Sequence, residues 1–131
     1  MALNLRDVTV FAPYPDEFPE DLLMQSGAND RCLDRWQGAD VVRIGKVLDR
    51  IVAVYAMTRD ASKGYHLHGI VVEPGSRGQG IGRWMTGHAI GVAESKGARY
   101  LTLTEAGGSQ CFERLGFVAD AVGLRFDLIP E

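Results

Sequence analysis

Apolar and polar positions alternate in several short runs, and one longer stretch carries a helical stripe. Leu5, Val8 and Val10 alternate with polar residues and predict a first strand over residues 5–11, stopped by Ala12-Pro13-Tyr14-Pro15. Residues 17–36 read as one or two short helices broken at Ser26-Gly27, burying Leu22, Leu23, Cys32, Leu33 and Trp36. Residues 41–48 and 51–58 predict two strands joined by a tight turn at Asp49-Arg50, and residues 65–72 add a third to this meander. Residues 80–96 give the clearest helix. Ile81, Met85, His88 and Val92 recur at i, i+4, i+7 and i+11, and Gly97 stands where a helix wants its left-handed C-terminal residue. Residues 98–104 read as a strand, residues 109–115 as a short helix started by Ser109 and stopped by Gly116, and residues 117–121 and 124–129 as closing strands. Strand, helix, strand in that order requires a parallel pair and a right-handed crossover. The expected fold is α/β, with an antiparallel first half and a βαβ unit in the second.

At 131 residues the chain suits a single domain, residues 1–131, and no linker, repeat or low-complexity segment divides it. Apolar residues make up 46% and charged residues 24%, which fits a soluble globular protein, and no apolar run nears the roughly 20 residues that cross a bilayer. The first residues do not read as a signal peptide, and two cysteines, Cys32 and Cys111, are too few for a disulfide framework, so the expected location is cytoplasmic. The net charge of −3 and the lack of a basic patch argue against nucleic acid. Residues 1–40 hold eight acids (Asp7, Asp16, Glu17, Glu20, Asp21, Asp30, Asp34 and Asp40) against Arg6, Arg31 and Arg35. The plain reading is a solvated acidic face; the functional one is a rim that attracts a cationic substrate.

The candidate chemistry lies in Val71-Val72-Glu73-Pro74-Gly75-Ser76-Arg77-Gly78-Gln79-Gly80-Ile81-Gly82-Arg83. A strand enters a glycine-dense turn, and the turn opens the helix. Glycine lets backbone N–H groups approach a ligand closely, and a helix N-terminus adds unpaired N–H groups and a positive dipole end. Together they suit a phosphate. A P-loop needs Lys-Ser or Lys-Thr after its last glycine, and Gly80 is followed by Ile81-Gly82. A dinucleotide fingerprint needs G-x-G-x-x-G, and Gly78-x-Gly80-x-Gly82 has another spacing.

Arg77-x-x-Gly80-x-Gly82 after a strand resembles the R/Q-x-x-G-x-G/A pattern of the GCN5-related N-acetyltransferase (GNAT) superfamily. Phe112-Glu113-Arg114-Leu115-Gly116-Phe117 is similar to that family's later helix and "GF" segment. The resemblance covers residues 41–129 well and the first third by element order. It implies a mixed, mostly antiparallel sheet with helices on both faces around a central βαβ acyl-CoA-binding unit. It implies acetyl-CoA as co-substrate, its pyrophosphate over the N–H groups of Gln79, Gly80, Ile81, Gly82 and Arg83, with Arg77 and Arg83 adding charge and Gly78 shaping the turn. It also implies a pantetheine arm paired with the backbone of Val71 and Val72, where strands 65–72 and 98–104 splay apart.

The implied activity is direct transfer of an acetyl group to a primary amine of a small molecule or peptide; the alternative is a non-catalytic acetyl-CoA-binding sensor. Family members often supply a tyrosine general acid before "GF"; here Phe112 stands there and has no proton to donate. His66 and His68 lie two apart and share a strand face. His68 is the candidate base, with an ordinary strand residue as its plain reading, and Glu105 is the competing base. His88 reads as a core histidine, Cys111 as a small buried hydrophobe, and Trp84 and Met85 as helix packing. His66 and His68 lack a third ligand, so no metal site is expected. A homodimer through the C-terminal strand is compatible with the family.

Overall fold

The structure is a computed structural model, and it describes residues 8–25, 30–103, 116–119 and 123–128. Among these residues seven strands form one sheet. They are β1 (Thr9–Phe11), β2 (Val41–Val47), β3 (Arg50–Arg59), β4 (Tyr65–Val72), β5 (Tyr100–Leu103), β6 (Val118–Ala119) and β7 (Leu124–Asp127), with the helices α1 (Glu20–Gln25), α2 (Asp30–Gln37) and α3 (Ile81–Ser95). The strand order is β1-β2-β3-β4-β5-β7-β6, and β4–β5 is the parallel pair while the other neighbours run antiparallel. The α3 crossover therefore sits between two adjacent parallel strands, as the order of elements demands.

Alternation along the central strands divides the interior in two. Ala53, Tyr55 and Met57 of β3 join Ile81, Met85, Ala89 and Ala93 of α3 on one face. Val54 and Ala56 join Leu22 and Leu23 of α1 and Leu33 and Trp36 of α2 on the other. Helices thus cover both faces of a mostly antiparallel sheet.

Several expectations move by a residue or two. The β2–β3 turn is Leu48-Asp49, closed by the Val47–Arg50 pair, rather than Asp49-Arg50. A slip in register between Gly45 and Lys46 takes up the difference. Leu48 is left at φ +56° with its side chain 93% exposed. The α3 stripe carries Ala89 and Ala93 in addition to Ile81 and Met85, while His88 and Val92 are half-buried. Met85 is wholly buried, but Trp84, expected to pack with it, is 46% exposed, because it lies on the flank of the helix. At the C-terminus, Gly97 (φ +81°) donates to Glu94 O at 3.0 Å and Ala98 to Ala93 O at 3.0 Å. These two bonds make a Schellman cap. The strand expected over residues 5–11 is seen as Thr9–Phe11, and the Ser26-Gly27 break and the helix expected over residues 109–115 lie outside the described residues.

Candidate acyl-CoA site

The site is built where β4 stops pairing with β5. Parallel pairing joins Tyr65 to Leu101, His66 to Thr102 and Leu67 to Leu103. Beyond Leu67 the edge of β4 has no strand partner among the described residues. The break coincides with a bulge: β4 pairs Leu67 with Met57 and then Gly69 with Ala56, so His68 is the extra residue. A bulge bends its strand and turns two successive residues toward one face. Gly69 (φ +148°) faces Trp36, whose ring would lie 3.6 Å from an added Cβ, and His68 meets the same ring with centroids 6.3 Å apart.

Past the bulge, the free edge of β4 alternates. Glu73 donates to Val52 O at 2.8 Å, which makes residue 73 and, two back, Val71 the ones turned toward β3. Ile70 and Val72 then turn their backbone groups outward. Of the residues expected to pair with the pantetheine arm, Val72 belongs to this outward set and Val71 to the inward one. The Val72 carbonyl accepts a bond from Arg77 Nε at 3.1 Å, so Arg77 folds back on the strand.

The turn after β4 leads into α3 through Gly78 (φ +79°) and Gly80 (φ +84°). An added Cβ at Gly78 meets nothing within 4 Å, so the glycine answers to backbone conformation and to open space rather than to a packed neighbour. Gly80 is the N-cap of α3. It offers no side-chain cap, and the first turn holds no acid. Trp84 N–H is bonded to Gly80 O at 3.0 Å, and the amides of Ile81, Gly82 and Arg83 precede the first bond of that ladder. A helix start normally carries Ser, Thr, Asp or Asn to satisfy such groups. Their absence leaves a positive helix end beside the open edge of β4. Such an arrangement suits an anion and, along the strand, an extended amide chain.

On the α2 side of the sheet, two imidazoles stand edge to face with centroids 5.5 Å apart. His68 Nε2 lies 2.7 Å from Thr58 Oγ1, and His66 Nδ1 lies 3.0 Å from Thr102 Oγ1. Each ring has one nitrogen fixed by a threonine hydroxyl. Burial, the adjacent His66 ring and the Arg35 guanidinium push His68 down to about 4. Burial and Arg35 also lower His66, against an opposing pull from Asp60. Both rings are neutral at physiological pH. His88 is on the opposite face, where its Nδ1 lies 2.7 Å from the hydroxyl of buried Tyr55, and burial and Arg43 lower it. It belongs to the α3 packing and is far from the other two in the fold.

The sequence matches the family model described as "Acetyltransferase (GNAT) family" over residues 3–117. The chain belongs to this family. No curated protein matches it in sequence. Solved structures similar to it are GNAT acetyltransferases. One, from Elizabethkingia anophelis and solved with acetyl-CoA bound, is 16% identical, covers 93% of this chain and 99% of its own, and gives a TM-score of 0.83. The IAA acetyltransferase from Bacillus cereus is 17% identical over 92% of this chain and 99% of its own, with a TM-score of 0.82. The ribosomal-protein-S18-alanine N-acetyltransferase from Escherichia coli is 17% identical over 95% and 96%, with a TM-score of 0.77. At these identities the likeness is one of fold.

Within the GNAT frame, the glycine turn and the open edge of β4 come together at one end of the bulge, and His66 and His68 at the other. Glu105, Cys111 and Phe112 lie outside the described residues. The role of Trp36 as the wall behind His68 and Gly69 was not legible in the sequence, where it reads as one more apolar helix position. The threonine partners Thr58 and Thr102 were missed as well, since cross-strand register decides them. The acidic N-terminal segment lines a cleft of about 580 Å³ with Asp16, Glu17, Glu20 and Asp21, joined by Glu73 after β4, beside the start of α1. Two of those carboxylates are already paired, Glu17 with Lys46 and Glu73 with Arg50.

Proposed function

We propose that this GNAT protein transfers the acetyl group of acetyl-CoA directly to a primary amine. The observation that carries the reading is the uncapped N-terminus of α3, which opens beside the unpartnered edge of β4. The pyrophosphate takes the amides of residues 79–83, with Gly78 and Gly80 giving the close approach and Arg83 added charge. The pantetheine arm adds to β4 through the outward backbone of Val72 and its neighbours, and Arg77 must release the Val72 carbonyl when the arm pairs there. In this reading the thioester lies at the bulge, beside His68.

His68 is the base in this reading, with Glu105 as its competitor. The attacking nitrogen must be neutral. An ammonium acceptor loses one proton through the imidazole to solvent before attack. The amine nitrogen bonds to the carbonyl carbon, the C–S bond breaks, and the second N–H proton ends on the departing thiolate. Thr58 orients His68, and burial keeps the ring unprotonated. No acyl-enzyme is required.

The test is thiol release from acetyl-CoA across a panel of primary amines. Turnover should appear with at least one amine, and His68→Gln should lower kcat by about 10²–10⁴-fold with acetyl-CoA affinity kept. Binding of acetyl-CoA with no turnover on any amine would leave the sensor reading in its place.

A further inference from the structure

The entry to the glycine turn is held by a side-chain bond that touches no part of the site described above. Ser76 ends the short helical turn Pro74–Ser76 and is 1% exposed. Its hydroxyl donates to Glu73 Oε1 at 2.7 Å and its amide to Glu73 O at 3.0 Å. Glu73 is fixed in its own right. Its amide donates to Val52 O at 2.8 Å, and its carboxylate pairs with Arg50 Nη2 at 3.0 Å. On the far side of the turn Ile81, the first residue of α3, is again 1% exposed. Arg77, Gly78, Gln79 and Gly80 therefore lie between two buried anchors, and Gly78 and Gly80 hold positive φ. Glycine loses the most backbone freedom on ordering, so the anchors decide how well this turn is set before a ligand arrives.

We propose that Ser76, held by Glu73, is a positioning residue for the pyrophosphate turn: it keeps the amides that follow it in their binding arrangement and so sets affinity for the nucleotide end of acetyl-CoA. This rests on the acyl-CoA reading above and adds to it a pair of residues that contact no ligand. Two side-chain bonds close the turn onto the end of β4, this one and that of Arg77 Nε to Val72 O. In the loaded protein the pantetheine arm takes the Val72 carbonyl, and Arg77 lets go. The Glu73–Ser76 bond is then the one that still closes the turn. A turn ordered in advance binds without the entropy loss of ordering it on arrival. A hydroxyl bonded to a carboxylate is also among the stronger hydrogen bonds, which suits a fixed anchor.

The experiment measures Kd for acetyl-CoA by isothermal titration, and for S-acetylpantetheine, which lacks the pyrophosphate, by saturation-transfer NMR. Ser76→Ala should weaken acetyl-CoA by about 3- to 10-fold and leave S-acetylpantetheine within about twofold. Its Glu73 carboxylate keeps the Arg50 partner, so no charge is left unpaired. Glu73→Ala should weaken acetyl-CoA in the same way, and Glu73→Gln, whose amide oxygen still accepts from Ser76, should recover most of that loss. Should Ser76→Ala fail to fold, the comparison of Glu73→Ala with Glu73→Gln carries the test at a partly exposed side chain. Unchanged acetyl-CoA affinity in the alanine variants, equal weakening of both ligands, or Glu73→Gln as weak as Glu73→Ala would overturn the proposal. A further readout needs no ligand: NMR order parameters of the Gly78 and Gly80 amides should fall in the alanine variants, and unchanged values would also overturn it. Should the native protein not bind acetyl-CoA, the acyl-CoA reading fails on its own and the pyrophosphate role falls with it. The brace then stands as the device that orders the turn if those order parameters fall, and is overturned if they do not.

Discussion

His68, the proposed base, also bears on stability. Its folded value of about 4 lies below the ordinary histidine value of 6.5. The unfolded chain then binds the proton more readily, so this contribution to stability is full above about pH 6.5 and is lost as pH falls toward 4. The loss is on the order of 2 kcal/mol for a partly buried ring. Urea midpoints of the native protein should therefore drop between pH 6.5 and 4 more steeply than those of His68→Gln. Parallel curves would remove the buried, neutral imidazole from the account. The same property should place the acid limb of the rate profile below the usual histidine value. Neither the bulge nor Thr58 was visible from residue order. The spacing of His66 and His68 gave their shared face, but the depth and partners of the rings come from register between β3, β4 and β5.

At the scale of elements, the glycines of the turn divide by what they do. Gly80 holds φ +84°, which costs an alanine about 1–2 kcal/mol, and its amide opens the helix. Gly82 is inside the first turn, and an added Cβ would meet Val72 Cγ2 at an ordinary 3.9 Å. Gly82→Ala should stabilise the fold by about 0.5–1 kcal/mol in urea titrations and keep acetyl-CoA affinity, while Gly80→Ala should lose both stability and affinity. The reverse order would refute the assigned roles. The β2–β3 turn offers a second check. Leu48 sits exposed at φ +56°, a conformation that asparagine and glycine tolerate. Leu48→Asn should raise the melting temperature, by roughly 0.5–1 kcal/mol in free energy, with no change in activity. Sequence placed the turn one residue late because Asp49 is the better turn former; the slip at Gly45 and Lys46 is a tertiary feature with no local signal.

For the whole molecule, two layers of helix on one sheet place the proposed cofactor end and the proposed acceptor end on either side of a single bulge. The order of elements and the α3 stripe were enough to anticipate the layers, since period 2 and period 3.6 patterns encode which faces are buried. Arg77-x-x-Gly80-x-Gly82 made the turn before α3 legible, because a left-handed turn before a helix needs glycine at fixed positions. The acceptor end was less legible. Trp36, Thr58 and Thr102 come from three different stretches of chain and meet only through packing. The acidic tally of the first forty residues also says little about this end, because four of those carboxylates, Asp16, Glu17, Glu20 and Asp21, line the cleft beside α1 instead. The central claim is that the α3 turn holds acetyl-CoA for transfer. Isothermal titration with acetyl-CoA on the native protein and on Gly80→Ala tests it most directly. The account predicts saturable binding that weakens at least about tenfold in the variant; no heat with the native protein at millimolar acetyl-CoA, or equal affinity in the two, would contradict it.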